Sequence, residues 1–102
     1  MEDPSVRGCR VQTSATMIAL SGELDMSNAA VLRASLESAL GPTVIDLSGV
    51  TYIDSTALYE LALLRRRVGA VVLVVPSRQI RRTLEIVGFT KTFRIVESAE
   101  SA

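Results

Sequence analysis

These 102 residues predict one small α/β domain: a mixed sheet of four to five strands with an N-terminal antiparallel hairpin and helices packed on it. Three observations carry that expectation. The chain opens with apolar–polar alternation. Two later apolar runs, at 43–47 and 70–75, show almost no alternation. Segments with apolar residues three and four apart lie between and after them. A period of two marks a strand with one wet face, and a short unbroken run marks a buried parallel strand. A 3.6-residue period marks an amphipathic helix. The length fits a single domain and no more.

Composition narrows the chemistry. The hydrophobic fraction is 48% against 4% aromatic, so the core must be aliphatic. Charges balance at 11 against 11, which leaves no net field to attract nucleic acid or acidic lipid. His is absent, which removes the commonest general base and a common metal ligand. With one cysteine, Cys9, no internal disulfide can form. The longest apolar run, 70–75, falls far short of the ~20 residues a membrane span needs. Met1, Glu2, Asp3 and Pro4 do not resemble a secretory leader. The expectation is a soluble, cytoplasmic protein with no cofactor, no metal, and no direct contact with membrane or nucleic acid.

Residues 1–8 read as a frayed lead-in and 97–102 as a polar tail, helical fragment or disordered, around a core of about 9–96. Cys9, Val11 and Thr13 alternate with Arg10, Gln12 and Ser14 in a first strand. A turn near Ser14 and Ala15 leads to a second strand over 16–20, closing a hairpin. Ser21 to Asp25 interrupts that pattern. A helix over 28–40 follows, with Ala29, Leu32, Leu36 and Leu40 as its stripe, Arg33 and Glu37 on a wetter face, and Gly41-Pro42 as its stop. Residues 43–47 form a strand buried on both faces, turning at Ser48-Gly49. A second helix spans Ser55–Val68, then a strand over 70–75 ended by Pro76. Ser77 caps a third helix over 78–87, striped by Ile80, Leu84 and Val87 and closed by Gly88. Residues 93–96 form the last strand.

The stretch that suggests a function is Asp54-Ser55-Thr56, at a strand end where a helix must begin. Loops in such places are exposed yet held by a rigid scaffold. Asp54 or Ser55 is the natural N-cap, which by itself accounts for both residues. Thr56 falls in the first turn with its hydroxyl outward. A helix N-terminus tolerates negative charge, so a phosphate there leaves the fold intact and changes what the surface binds. In the second helix Ala57, Leu61, Leu64 and Val68 form the core stripe. Thr56, Tyr59, Glu60, Leu63 and Arg66 lie opposite. Tyr59 and Leu63 beside a modifiable hydroxyl suggest a partner site, unless neighbouring loops cover them. The Arg65-Arg66-Arg67 run reads as a solvated helix end suited to the dipole.

At these residues the chain resembles the STAS domain family. Leu20-Ser21-Gly22-Glu23-Leu24-Asp25 is similar to its Gly-Glu-Leu-Asp motif. The stretch Val44-Ile45-Asp46-Leu47-Ser48-Gly49-Val50-Thr51-Tyr52-Ile53-Asp54-Ser55-Thr56 is similar to its strand, loop and Asp-Ser-Ser-Gly corner. The later strand, with Phe89 and Phe93 after the third helix, completes the likeness. The resemblance implies a non-enzymatic regulator. In the anti-sigma factor antagonist branch, the unmodified protein binds an anti-sigma factor that is also a Ser/Thr kinase. Phosphorylation at the helix start then ends the complex. Aligned residue by residue, the acceptor falls on Thr56, with Ser55 as the fallback. The expected partner surface, from this corner and the helix face beside it, comprises Asp25, Ser27, Asn28, Asp54, Ser55, Thr56, Tyr59 and Leu63. Two departures stand out: Thr56 replaces the family's second Ser, and Ala57 stands where it has Gly.

Two other readings remain open at this level. The same corner would dock the ATPase of a lipid-type membrane transporter complex without being phosphorylated. Alternatively, Asp46, alone or with Asp54, would serve an enzyme or a phosphate receiver. The latter lacks a Gly-rich phosphate loop and a Lys at the end of a late strand.

Overall fold

The computed structural model describes residues 9–13 and 17–101. The lead-in expected over 1–8 and the turn expected at Ser14 and Ala15 lie outside them. The strands are β1 (Cys9–Thr13), β2 (Met17–Leu24), β3 (Thr43–Ile53), β4 (Val71–Val74) and β5 (Arg94–Val96). The helices are α1 (Ala29–Glu37), α2 (Ser55–Val68) and α3 (Arg78–Ile86). Short 3-10 turns cover Met26–Asn28, Phe89–Lys91 and Ala99–Ser101. The five strands lie in chain order across one sheet. β1 and β2 are antiparallel, and each later pair is parallel.

The register sorts the side chains onto two faces. Ile18, Ile45, Leu73 and Ile95 are cross-strand neighbours, and Val11 sits opposite Leu20. This row joins Leu32 and Leu36 of α1, Ala57, Leu61 and Leu64 of α2, and Ile80 and Leu84 of α3 in one core. Cys9 belongs to that core, and burial, with the charge of Asp25 adding to it, pushes its thiol pKa up. The opposite row, Met17, Val44, Val72 and Arg94, stays partly or fully exposed. The strand over 43–47, expected to be buried on both faces, is therefore covered by helices on one.

Three boundaries differ from expectation for local reasons. β2 does not break at Ser21 but runs to Leu24, and β3 does not turn at Ser48-Gly49 but continues to Ile53. The pairing slips between Ala19 and Ser21 and again between Gly22 and Glu23, each time with one extra residue on β3. Such bulges reset which side chains face inward, so Leu47, Val50 and Ile53 all reach the core. Gly49 is required by proximity: an added Cβ would lie 2.7 Å from the Ser21 Cβ. Asp46 accepts from the Ser48 amide and hydroxyl beside the first bulge.

α1 ends at Glu37, before Gly41-Pro42, and Leu40 is 95% exposed instead of completing the stripe. Its last carbonyls go elsewhere. The Ser38 hydroxyl donates to Ser35, and the Arg67 guanidinium donates to Leu36 and Ala39. Side chains that take terminal carbonyls stop a helix without a glycine. α3 stops at Ile86, close to its expected end and just ahead of Gly88 at φ +83°, and Val87 is exposed instead of buried.

Candidate partner-binding site

The C-terminal ends of β2 and β3 bring two loops together. The Asp54 amide donates to the Leu24 carbonyl at 3.0 Å, joining the loops by backbone. The Asp54 side chain then works in two directions. Oδ1 accepts from the Ala57 amide at 3.1 Å and caps α2. Oδ2 accepts from the Met26 amide at 3.1 Å, in the other loop. Of the two candidate caps, Asp54 is the one used. Ser55 is left exposed, and Thr56 is half-buried in the first turn.

The Asp25 loop is closed on itself as firmly. Asp25 accepts from the Ser27 amide and hydroxyl. Asn28 completes a capping box by accepting from the Asp25 amide at 3.0 Å, and its carboxamide donates to the Glu23 carbonyl at 2.7 Å. Asn28 is 1% exposed. It shapes the loop from within and presents nothing to a partner. The structure thus brings Asp25, Ser27 and Asn28 beside Asp54, Ser55 and Thr56, with Asn28 beneath the surface.

The outer face of α2 carries Tyr59, 59% exposed, and Leu63, 36% exposed. Among the described residues no loop closes over Tyr59, and Leu63 stays partly open. Met26, at 75%, and Tyr52, at 51%, are the other large exposed apolar side chains carried by these two loops and the end of β3. Met26 is absent from the expected partner surface because it sits among Asp25, Ser27 and Asn28, whose side chains all suit a helix N-cap. An apolar side chain placed inside a capping loop was the available signal.

Glu60 corrects the expected helical wheel. It was assigned to the wet side of α2 but is 4% exposed. Arg33 of α1 holds it, with Nε donating to both carboxylate oxygens and Nη2 to Oε2 at 2.8 Å. These hydrogen bonds, then the charge of Glu60, and more weakly Glu37 and Tyr59, push the Arg33 pKa up. The arginine run was likewise expected to be solvated. Arg65 instead donates to the Thr92 carbonyl, and Arg67 reaches α1, while Arg66 is exposed. Asp46 and Asp54 do not pair: most of the length of β3 separates them, on the order of 20 Å. Among the described residues, no cluster of acids and cysteine is placed to hold a metal, and no helix is long and apolar enough to cross a membrane.

The STAS domain family model matches residues 9–102. The chain belongs to the STAS family. Over 93 residues this STAS chain is 31% identical to the anti-sigma-F factor antagonist RsfB of Mycobacterium tuberculosis, covering 84% of the chain and 76% of the relative. Its fold is similar to the crystal structure of an anti-sigma factor antagonist from Mycobacterium paratuberculosis, with a TM-score of 0.74 and 27% identity, covering 91% of this chain and 87% of that one. SpoIIAA in its unphosphorylated form shares the fold at a TM-score of 0.66 and 15% identity, over 91% of each chain. Within this STAS domain the Ala57 departure has a simple resolution. No described residue other than glycine has positive φ, so Ala57 is unstrained. It is a helical residue with its methyl 0% exposed in the core, where a Gly would add backbone entropy and lose packing.

Proposed function

We propose that this STAS domain is a cytoplasmic anti-sigma factor antagonist. It binds an anti-sigma factor of the Ser/Thr kinase type through the Asp54 corner and the outer face of α2. Phosphorylation of Thr56, with Ser55 as the fallback acceptor, switches it off. The observation that carries this reading is the juxtaposition at the start of α2. Two hydroxyl side chains lie there, beside exposed Met26, Tyr59 and Leu63, on a backbone pinned by Asp54. The relatives named as antagonists support it.

The physics of the switch follows from position. A phosphothreonine adds roughly −1.5 to −2 charges. At the N-terminus of α2 that charge meets the positive end of the helix dipole and costs the fold little. On the partner surface it adds an anion where apolar side chains were to be desolvated, and binding weakens.

Incubating the purified chain with each kinase-type anti-sigma factor of its host, with and without ATP, tests this. Expected are a complex without ATP and, with ATP, a single phosphate mapped to Thr56 by mass spectrometry. Thr56→Asp should weaken the complex at least tenfold and leave the melting temperature nearly unchanged. A Thr56→Asp variant that binds as tightly as the parent would sink the switch.

A further inference from the structure

The Arg33–Glu60 pair joins two observations that the helix-start reading leaves unused. Glu60 is 4% exposed, while the Arg33 side chain is 59% exposed although its Nε and Nη2 are bonded. The carboxylate lies behind and the guanidinium in front. Nη1 bonds to no described residue, so one edge of the fork faces outward, already fixed in place. Tyr59, next to Glu60 in sequence, is exposed, and Arg66 continues the Tyr59 and Leu63 ridge one turn further on with no ion pair of its own among the described residues. Glu37, one turn along α1, is the acidic side chain that faces Arg33 from its own helix. Asp25 and Asp54, at the far end of the face, are occupied as caps.

We infer that Arg33 is a specificity-determining contact for the bound protein, its guanidinium held by Glu60 and offered to a carboxylate on that partner. The inference rests on the reading that this face binds an anti-sigma factor. Arginine and tyrosine are the residue types that dominate interface energetics. A guanidinium fixed before binding loses less rotamer freedom than a mobile one. Charge complementarity selects the occupant: a partner approaching here meets the positive end of the pair and the apolar Tyr59 and Leu63, with Arg66 further along α2.

The same geometry explains why the switch lies where it does. Thr56 precedes Glu60 by one turn on the α2 edge that faces α1, the edge on which Arg67 reaches the α1 carbonyls. Side chains four apart on a helix are neighbours. A phosphate on Thr56 would therefore compete with the partner's carboxylate for Arg33 and repel it.

The test uses the anti-sigma factor that binds the wild-type chain in the panel above. Arg33→Gln should weaken binding at least tenfold and flatten the dependence of the association rate on salt. Arg33→Lys, which keeps charge but loses the fork, should fall between. Arg33→Gln alone leaves Glu60 buried and unpaired, so a second variant separates contact from clamp. Arg33→Gln with Glu60→Gln removes the buried charge and should restore the melting temperature while binding stays weak. If the double variant binds like wild type, Arg33 is only a strut between helices and the proposal is overturned. The same holds if Arg33→Gln alone binds like wild type. If the wild-type chain binds no member of the panel, the functional reading falls first and this one with it.

Discussion

α2 begins behind Asp54 and α3 behind Ser77, and in both the cap accepts from the amide three residues on, Ala57 or Ile80. Both bury an aliphatic stripe against the same face of the sheet. Beyond that they diverge. α2 is tied to its surroundings by polar side chains: Asp54 to Met26, Glu60 to Arg33, Arg65 to Thr92, and Arg67 to Leu36 and Ala39. Among the described residues, α3 has side-chain ion pairs only at its solvent edge, from Arg81 to Glu85 and Glu97. It leaves Ile86 75% exposed. An apolar stripe is enough to anchor a helix, since hydrophobic burial is non-directional. Hydrogen bonds of defined geometry are what fix where a helix starts and which side it shows, and a binding surface needs that. The polar ties gather on the helix that carries the candidate site.

The contrast predicts that the two helices are alike in their apolar anchoring. Leu61→Ala in α2 and Leu84→Ala in α3 each remove a side chain with 0% exposure. Both should cost about 3–5 kcal/mol in urea unfolding, because the lost transfer energy and the cavity add. A Leu84→Ala cost below about 1 kcal/mol would show that α3 is not anchored as α2 is, and the contrast would no longer concern polar ties.

At the caps the helices should part. Asp54→Ala loses the Ala57 bond and the Met26 bond together, about 2 kcal/mol. Ser77→Ala loses one cap, about 1 kcal/mol. Hydrogen exchange sharpens the difference. Asp54→Ala should expose the amides of both Met26 and Ala57, far apart in sequence. Ser77→Ala should affect only the start of α3. Equal and purely local effects would mean that Asp54 does not couple the two loops.

This division also marks what the sequence made legible. α2 is found with its observed bounds, Ser55–Val68, because its apolar period and cap are local signals. The mixed sheet and its antiparallel first pair follow from alternation in the same way. The polar ties were not legible. Glu60 finds Arg33 across 27 positions, and Arg67 finds Leu36 across 31. A charged residue at the edge of a helical stripe is assigned to water by default, since charges are seldom buried unless paired. The bulged β3 was misread for a related reason. Its inward spacing of Leu47, Val50 and Ile53 is set by the slipped register with β2, which no single strand reveals. At the site itself, the cap and the two hydroxyls were legible, whereas Arg33, Met26 and the burial of Asn28 depended on contacts between loops.

The smallest expected effect tests whether polar contacts matter by number or by place. Arg81 makes two ion pairs, at 3.8 Å to Glu85 and 3.6 Å to Glu97, more partners than Arg33 has. Its partners are 53% and 82% exposed, so water competes for each charge and the long side chains lose entropy in meeting. Arg81→Gln should therefore cost only a few tenths of a kcal/mol (~0.2–0.5) at low salt. That cost should vanish near 1 M salt, where the screening length falls to about 3 Å. Thermal unfolding at the two salt concentrations measures it. A salt-insensitive loss of about 2 kcal/mol or more would mean that α3 is held by polar contacts after all, and that the distinction drawn between the two helices is one of degree.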